Sequence, residues 1–218
     1  MDYVISDLHF GDKGILRFER TEFATVEEHD AHMVKMWNTM VVNNNDTVYF
    51  LGDLHDNSHK RDDLDYLRTI VPKLHGRKII ILGNHDVYKD QDYLDLGFEK
   101  VIHGPYYYKP YIILSHEPCR EAFQNPYVWN IHGHLHNAEL ELDNYICVSA
   151  RHVQYRPQKL TKIAERIAGK VAKRKEHFME EWYCPFYDFM QYELQYDDNG
   201  RVDATKTRNM AIKKLKMF

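Results

Sequence analysis

The fold is decided by one stretch of the sequence, Lys78-Ile79-Ile80-Ile81-Leu82-Gly83-Asn84-His85-Asp86. Its first half is a short apolar run rich in β-branched residues, which is typical of a buried strand, and the glycine that follows is typical of a turn. An amide, an imidazole and a carboxylate, all of them able to bind a metal, follow this turn directly. The stretch therefore predicts a strand that ends in a polar cluster.

Four further clusters of metal-binding and polar residues follow apolar runs in the same way. The runs are residues 3–5, 47–51, 111–114 and 128–131, and the clusters are Asp7-Leu8-His9, Gly52-Asp53, Ser115-His116 and Gly133-His134-Leu135-His136. Because strand exits of an α/β sheet meet at one edge, the five clusters are expected to lie together. One such cluster alone is more often a turn or a hydrogen-bonded polar pair, but five in succession predict a shared metal site.

The number of ligands predicts how many metal ions this site holds. Apart from His85 and Asp86, the clusters offer two carboxylates, four imidazoles and one amide, which is more than one ion can use while it keeps a position open for substrate. Two ions fit better, held about 3.5–4 Å apart by a bridging carboxylate, and Asp53 is the predicted bridge. The mixture of nitrogen and oxygen donors favours Mn, Fe, Zn or Ni over Ca and Mg. Of these ions we expect Mn.

The order of these clusters resembles the motif set of the calcineurin-like metallophosphoesterases, across residues 2–155. The segment Asp7–Asp12, followed by Ile15-Leu16-Arg17-Phe18, is similar to a small bacterial and phage branch of that family. The resemblance implies one metal on Asp7, His9, Asp53 and His136, and a second on Asp53, Asn84, His116 and His134. It also implies that His85 is the catalytic histidine, close to the substrate phosphate, and that Asp86 orients it.

The same resemblance implies an α/β fold, a four-layer sandwich of two mixed β-sheets flanked by helices. Residues 27–42 and 61–74 carry apolar side chains at helical spacing and predict two of the flanking helices. We predict a metallophosphoesterase core at residues 1–155. An extension at residues 156–218, made of a basic helix and a β-hairpin, is expected to pack on this core.

The predicted extension differs from the core in its charge. Residues 156–218 contain 14 lysines and arginines against 9 aspartates and glutamates, although the whole chain has a net charge of −4. The excess of positive charge is concentrated in residues 158–178, which predict a helix with one apolar stripe. We expect the stripe to pack on the core while the charges are solvated. Contact with phosphate groups and attachment to a membrane are the alternatives. The aromatic run at residues 182–189 is expected to pack on the core, with a lid over the site or a dimer contact as alternatives.

The five clusters and the family resemblance predict a phosphoester hydrolase in which a hydroxide that bridges two metals attacks the phosphate directly. A phosphodiesterase acting on nucleotides or nucleic acid is the favoured form, because a basic extension suits a polyanionic substrate, and a phosphomonoesterase acting on small molecules is the alternative. A binding module that has lost catalysis would be expected to lack His85 or a bridging ligand, and neither is missing. Four cations near the clusters are candidate substrate-binding residues: Lys13, Arg17, Arg120 and Arg151.

Composition predicts a cytoplasmic enzyme without a membrane segment. The chain has 218 residues, 44% of them hydrophobic, and neither a basic leader nor a long apolar run precedes the first predicted strand. Its three cysteines, Cys119, Cys147 and Cys184, are widely separated and odd in number, which argues against a disulfide framework and fits a reducing compartment. The sequence does not predict an oligomeric state.

Overall fold

The strands predicted before the polar clusters form two sheets in the computed structural model, which describes residues 1–19, 21–55 and 61–178. The strands are β1 (Asp2–Ile5), β2 (Thr47–Phe50), β3 (Arg77–Ile81), β4 (Phe98–Ile102), β5 (Tyr106–Lys109), β6 (Ile112–Ser115), β7 (Trp129–His132), β8 (Tyr145–Cys147) and β9 (Gln158–Lys159). The first sheet has the order β4-β3-β2-β1-β9 and the second the order β5-β6-β7-β8.

Parallel pairing in both sheets determines where the clusters lie. Strands β1 to β4 are parallel, with Tyr3 opposite Val48 and Val48 opposite Lys78, whereas β9 pairs antiparallel with β1. In the second sheet β6, β7 and β8 are parallel, and β5 is antiparallel. Both sheets are therefore mixed, and the carboxyl ends of their parallel strands lie at one edge of each sheet.

The two sheets meet beside the first cluster. Ser6, directly after β1, forms a parallel bridge with Ser149, and its backbone N–H donates to the carbonyl of Val148 at 3.1 Å. This link joins the exit of β1 to the segment that follows β8. The strand exits of both sheets consequently face a common site.

Six helices flank the two sheets in the described part of the chain. They are α1 (Ile15–Phe18), α2 (Val26–Met40), α3 (Arg61–Ile70), α4 (Asp90–Asp95), α5 (Arg120–Gln124) and α6 (Leu160–Phe178), with a 3-10 turn at Val71–Lys73. One apolar cluster packs α2, α3 and α4 on the first sheet, a second fills the space between the sheets, and a third packs α5 on the second sheet. The predicted four-layer α/β sandwich is thereby confirmed.

Helix α2 shows how local sequence produces these layers. The hydroxyl of Thr25 accepts a hydrogen bond from the backbone N–H of Glu28 at 3.2 Å and so caps the first turn. Four residues apart on one face, Met33 and Trp37 are each 1% exposed against the first sheet. The predicted helix at residues 61–74 ends earlier, at Ile70, and continues as the 3-10 turn because Pro72 has no N–H to continue the helix.

The basic helix predicted after the core is present as α6. Leu160, Ala164, Ile167 and Val171 lie at helical spacing and are buried in the cluster between the sheets. The apolar stripe thus packs on the sandwich, as the first of the three interpretations expects. The predicted hairpin, the aromatic run and the tail lie outside the described residues, and the division at residue 155 stays a prediction. Within the described residues, the structure has no helix long and apolar enough to span a bilayer.

Candidate metal centre

The structure brings six of the seven predicted ligands into two groups. Cluster A consists of Asp7, His9 and His136, and cluster B consists of Asp53, His116 and His134. In each cluster, one potential ligand atom from every residue lies within 4.8 Å of the others. The side chains come from the exits of β1, β2, β6 and β7, so each cluster contains residues from both sheets.

The backbone at these positions adopts a conformation that side chains other than glycine rarely accept. Seven described residues other than glycine have a positive φ, and five of them are predicted ligands: Asp7 (55°), His9 (45°), Asp53 (56°), His134 (68°) and His136 (50°). Such residues cost free energy of order 1–3 kcal/mol each when strained and are concentrated at functional sites. Their coincidence with the clusters supports a functional role for this edge.

Glycines in the same motifs allow the strand exits to approach each other. Gly52 has a φ of 83°, and a Cβ there would collide with the backbone of Gly83. A Cβ at Gly133 would collide with the side chains of Ser6 and Asp7. Because no side chain fits at these contacts, glycine is required for the loops to place the ligand atoms side by side.

Asp53 lies between the two clusters. Its Oδ2 is 3.2 Å from Nε2 of His116 in cluster B and 3.7 Å from Nε2 of His9 in cluster A. Its Oδ1 accepts a hydrogen bond from the backbone N–H of His85 at 2.9 Å. Burial opposes ionisation, but the hydrogen bond and charge of His116 lower the pKa of Asp53. One ionised oxygen is thus positioned to serve both clusters.

In cluster B, the imidazole of His116 is held from behind by the backbone. Its Nδ1 donates to the carbonyl of Leu51 at 2.8 Å, so Nε2 points toward Oδ1 of Asn84 at 2.9 Å and Nδ1 of His134 at 3.2 Å. Burial lowers the pKa of His116, but Asp53 and Asp7 outweigh it and raise this pKa to about 9. Asn84, the seventh predicted ligand, therefore faces cluster B.

In cluster A, a carboxylate holds the equivalent imidazole. Nδ1 of His136 lies 2.7 Å from Oε1 of Glu19, and its Nε2 is 4.0 Å from Oδ1 of Asp7. Glu19 is only 4% exposed. A carboxylate behind a histidine fixes its orientation and makes it a stronger ligand. Sequence reasoning missed Glu19, because a single glutamate outside every motif has no signal that sets it apart.

His9 is the clearest test of whether these residues fit a metal. It is 3% exposed, and neither ring nitrogen has a hydrogen-bond partner. Burial lowers its pKa to about 3, so the imidazole is neutral at physiological pH. A buried, neutral imidazole without hydrogen bonds has the form required of a metal ligand, and the donor set of cluster A fits a divalent ion.

The predicted catalytic pair lies beside the clusters. The ring centroid of His85 is 5.4 Å from that of His9 in an edge-on arrangement. Asp86 accepts hydrogen bonds from the backbone N–H groups of Asp53 at 2.7 Å, Gly83 at 2.8 Å and Leu54 at 3.1 Å. The carboxylate of Asp86 therefore holds two ligand-bearing loops together, a role that the sequence did not predict. Orientation of His85 by Asp86 stays a prediction.

The four candidate substrate-binding cations occupy different surroundings. Lys13, Arg17 and Arg120 are exposed. Arg151 instead pairs with Glu22 at 2.8 Å. It lines a separate cavity of about 450 Å³ whose described lining includes none of the seven predicted ligands. The structure thus ties Arg151 to Glu22, away from the cavity beside cluster B.

A cavity of about 440 Å³ opens beside cluster B. Asn84 and His116 contribute to its wall, together with Glu117, Cys119 and Glu121. No lysine or arginine is among the described residues that line it. The space next to cluster B is therefore acidic, unlike the segment that carries Lys13 and Arg17.

Comparison with known proteins identifies the family. The model of the calcineurin-like phosphoesterases matches residues 3–196, which include both clusters. The chain belongs to this family. The matched range extends beyond residue 155, and it confirms the resemblance that the motifs indicated. This calcineurin-like phosphoesterase is a metal-dependent phosphoester hydrolase, and clusters A and B provide the two groups of ligands that the dinuclear chemistry of the family requires.

The chain is also similar to individual proteins. An uncharacterized protein of Methanocaldococcus jannaschii is 33% identical over 181 residues, which are 78% of this chain and 94% of that protein. The Gene 66 protein of Mycobacterium phage L5 is 44% identical over 81 residues, 37% of each chain. Among solved structures, a protein of unknown function from Aquifex aeolicus has 27% identity and a TM-score of 0.59, covering 76% of this chain and 98% of that one.

Proposed function

We propose that this phosphoesterase hydrolyses phosphodiesters of nucleotides or nucleic acid with one divalent ion at each cluster. The observation that carries the proposal is the position of Asp53 Oδ2, 3.2 Å from a histidine nitrogen of cluster B and 3.7 Å from one of cluster A. A carboxylate shared in this way holds two ions at the short separation that an in-line displacement needs.

The proposed ligand sets follow the two clusters. Asp7, His9, Asp53 and His136 would hold one ion, and Asp53, Asn84, His116 and His134 the other. Imidazole, carboxylate and amide donors together suit Mn, Fe, Zn or Ni, of which we propose Mn. When bound, two such ions supply an activated water molecule and neutralise phosphate charge.

The protein's own groups would complete the reaction. His85, whose ring lies beside that of His9, would hold a proton near the leaving oxygen and stabilise the charge that develops on the phosphate. Its backbone N–H, bound to Asp53, keeps the residue next to the bridging carboxylate. Asp86 holds the loops of Asp53 and Gly83 in register, so the ligand geometry persists without substrate.

Exposed positive charge supports a diester of nucleotide character. Lys13 and Arg17 are exposed on the segment that leads to Glu19, beside cluster A. These cations would contact a phosphate next to the one that is cleaved, which a diester in a polynucleotide provides and a small monoester does not.

The test compares matched esters with defined metals. Protein stripped with a chelator is expected to be inactive, and Mn to restore it better than Mg. It should then hydrolyse bis-p-nitrophenyl phosphate and short single-stranded oligonucleotides faster than p-nitrophenyl phosphate, measured as kcat/KM. Preference for the monoester would replace the proposal with a phosphomonoesterase. Full activity after the metal has been removed would contradict the dinuclear mechanism.

A further inference from the structure

The aromatic side chain at the end of α1 is placed unusually close to a predicted metal ligand. Phe18 is 68% exposed, and its ring centroid lies 5.1 Å from that of His136 with the ring planes at 76°. Single exposed apolar residues are normal on protein surfaces. This exposed ring, however, contacts a ligand of cluster A and is therefore within reach of a substrate bound there.

The local structure holds this ring in position. The next residue, Glu19, is buried, and its carboxylate lies 2.7 Å from Nδ1 of His136. The backbone N–H groups of Phe18 and Glu19 donate to the carbonyls of Gly14 at 3.0 Å and Ile15 at 2.9 Å. Because Glu19 is anchored to the histidine and α1 is hydrogen-bonded behind it, the Phe18 ring is presented beside cluster A in advance of substrate binding.

Exposed lysine and arginine side chains lie on one side of the centre and are absent from the described lining of the cavity on the other. On the Phe18 side, Lys13 and Arg17 are exposed on the same segment. On the cluster B side, the cavity of about 440 Å³ is lined by Glu117 and Glu121 and by no described lysine or arginine. An aromatic ring beside exposed cations is the combination with which proteins bind the bases and phosphates of nucleotides.

We propose that Phe18 stacks on the base of a nucleoside phosphate ester whose phosphate lies at clusters A and B. This inference rests on the proposed function and specifies the substrate's orientation. Phe18 is then a substrate-binding residue that discriminates esters with a planar base from esters without one.

The experiment uses two diesters with the same leaving group, thymidine p-nitrophenyl phosphate and methyl p-nitrophenyl phosphate. In Phe18→Ala, kcat/KM for the thymidine ester is expected to fall roughly 5- to 150-fold, mainly through KM, because stacking on an aromatic side chain contributes that much per base. The loss for the methyl ester should be much smaller. Phe18→Trp should retain the preference for the thymidine ester, and Phe18→Leu should lose it.

Phe123→Ala is the matched control, since Phe123 is 72% exposed but lies on α5 and not beside His136. It should leave the ratio of the two esters unchanged. Equal losses for both esters in Phe18→Ala, or a reduced metal content, would overturn the inference and assign Phe18 to the support of His136. If the wild-type protein with Mn hydrolyses neither ester, the proposed function itself fails, which is a distinguishable result.

Discussion

Clusters A and B use similar ligands but are supported differently. In cluster B, the backbone carbonyl of Leu51, at the end of β2, holds His116. In cluster A, the side chain of Glu19, directly after α1, holds His136. Cluster B is therefore built from strand exits alone, whereas cluster A also needs a helix and a buried carboxylate outside the motifs. One half of the centre can therefore be altered through a residue that binds no metal.

The largest effect is expected from the residue that the two clusters share. Asp53→Ala removes the oxygen that lies within 3.7 Å of histidine nitrogens on both sides. Both ions should be lost. Turnover should fall further than it does on loss of a general acid, which costs about 10²–10⁴-fold. Metal content by mass spectrometry and kcat on a diester measure this outcome. Retention of one full equivalent of metal would contradict a shared ligand.

Two variants separate this effect from a general disturbance. Asp65→Ala removes a side chain that is 68% exposed and pairs with Arg68, so metal content and activity should not change. His85→Ala should retain both ions and lose turnover by about 10²–10⁴-fold, because His85 is assigned to proton transfer rather than coordination. Loss of metal from His85→Ala would show that this assignment is wrong.

An intermediate effect should distinguish cluster A from cluster B. Glu19→Ala removes the carboxylate behind His136 and should weaken one of the two bound ions by about 10- to 100-fold, leaving the other unchanged. Metal titration by calorimetry would then resolve two affinities. Glu22→Ala is the control, because the exposed carboxylate of Glu22 pairs with Arg151 rather than with a ligand. Equal weakening of both ions would remove the proposed difference in support.

The last effect, about tenfold for each pH unit, concerns protons. The pKa of His116 is raised to about 9, so below that pH a proton competes with the metal for its ring, whereas His9, with a pKa of about 3, carries none. Metal affinity at cluster B should therefore rise by about tenfold per pH unit up to pH 9 and then level off. Calorimetry between pH 7 and 9 checks this on Glu19→Ala, where the two affinities are separated. Affinity independent of pH over that range would contradict the raised pKa.

Much of the site could be predicted because its ligands are encoded locally. Asp7 and Asp53 each lie within two or three residues of a strand end, so an apolar run and the residues after it are sufficient to place them at one edge of a sheet. The predicted helices follow from residue spacing in the same way, with one exception at Pro72, where the missing N–H ends the regular helix. The spacing of apolar residues and the distance of a ligand from a strand end are sufficient to predict such features.

The remaining features depend on contacts between distant parts of the chain. Glu19 and His136 are 117 positions apart, and Asp86 meets the backbone N–H of Asp53 across 33 positions. The residue types do not predict either contact, since a glutamate near a helix or an aspartate after a histidine occurs for many reasons.

The sequence by itself determined the family, the two-sheet sandwich and the residues that gather at its edge, because those follow from strand periodicity and from ligands adjacent to strands. Only the tertiary structure decided that Asp53 lies between the clusters, that Glu19 supports one of them and that Phe18 stands beside it. The physical reason is that hydrogen bonds and ring contacts depend on positions in space, which are set when the two sheets meet at Ser6 and Ser149.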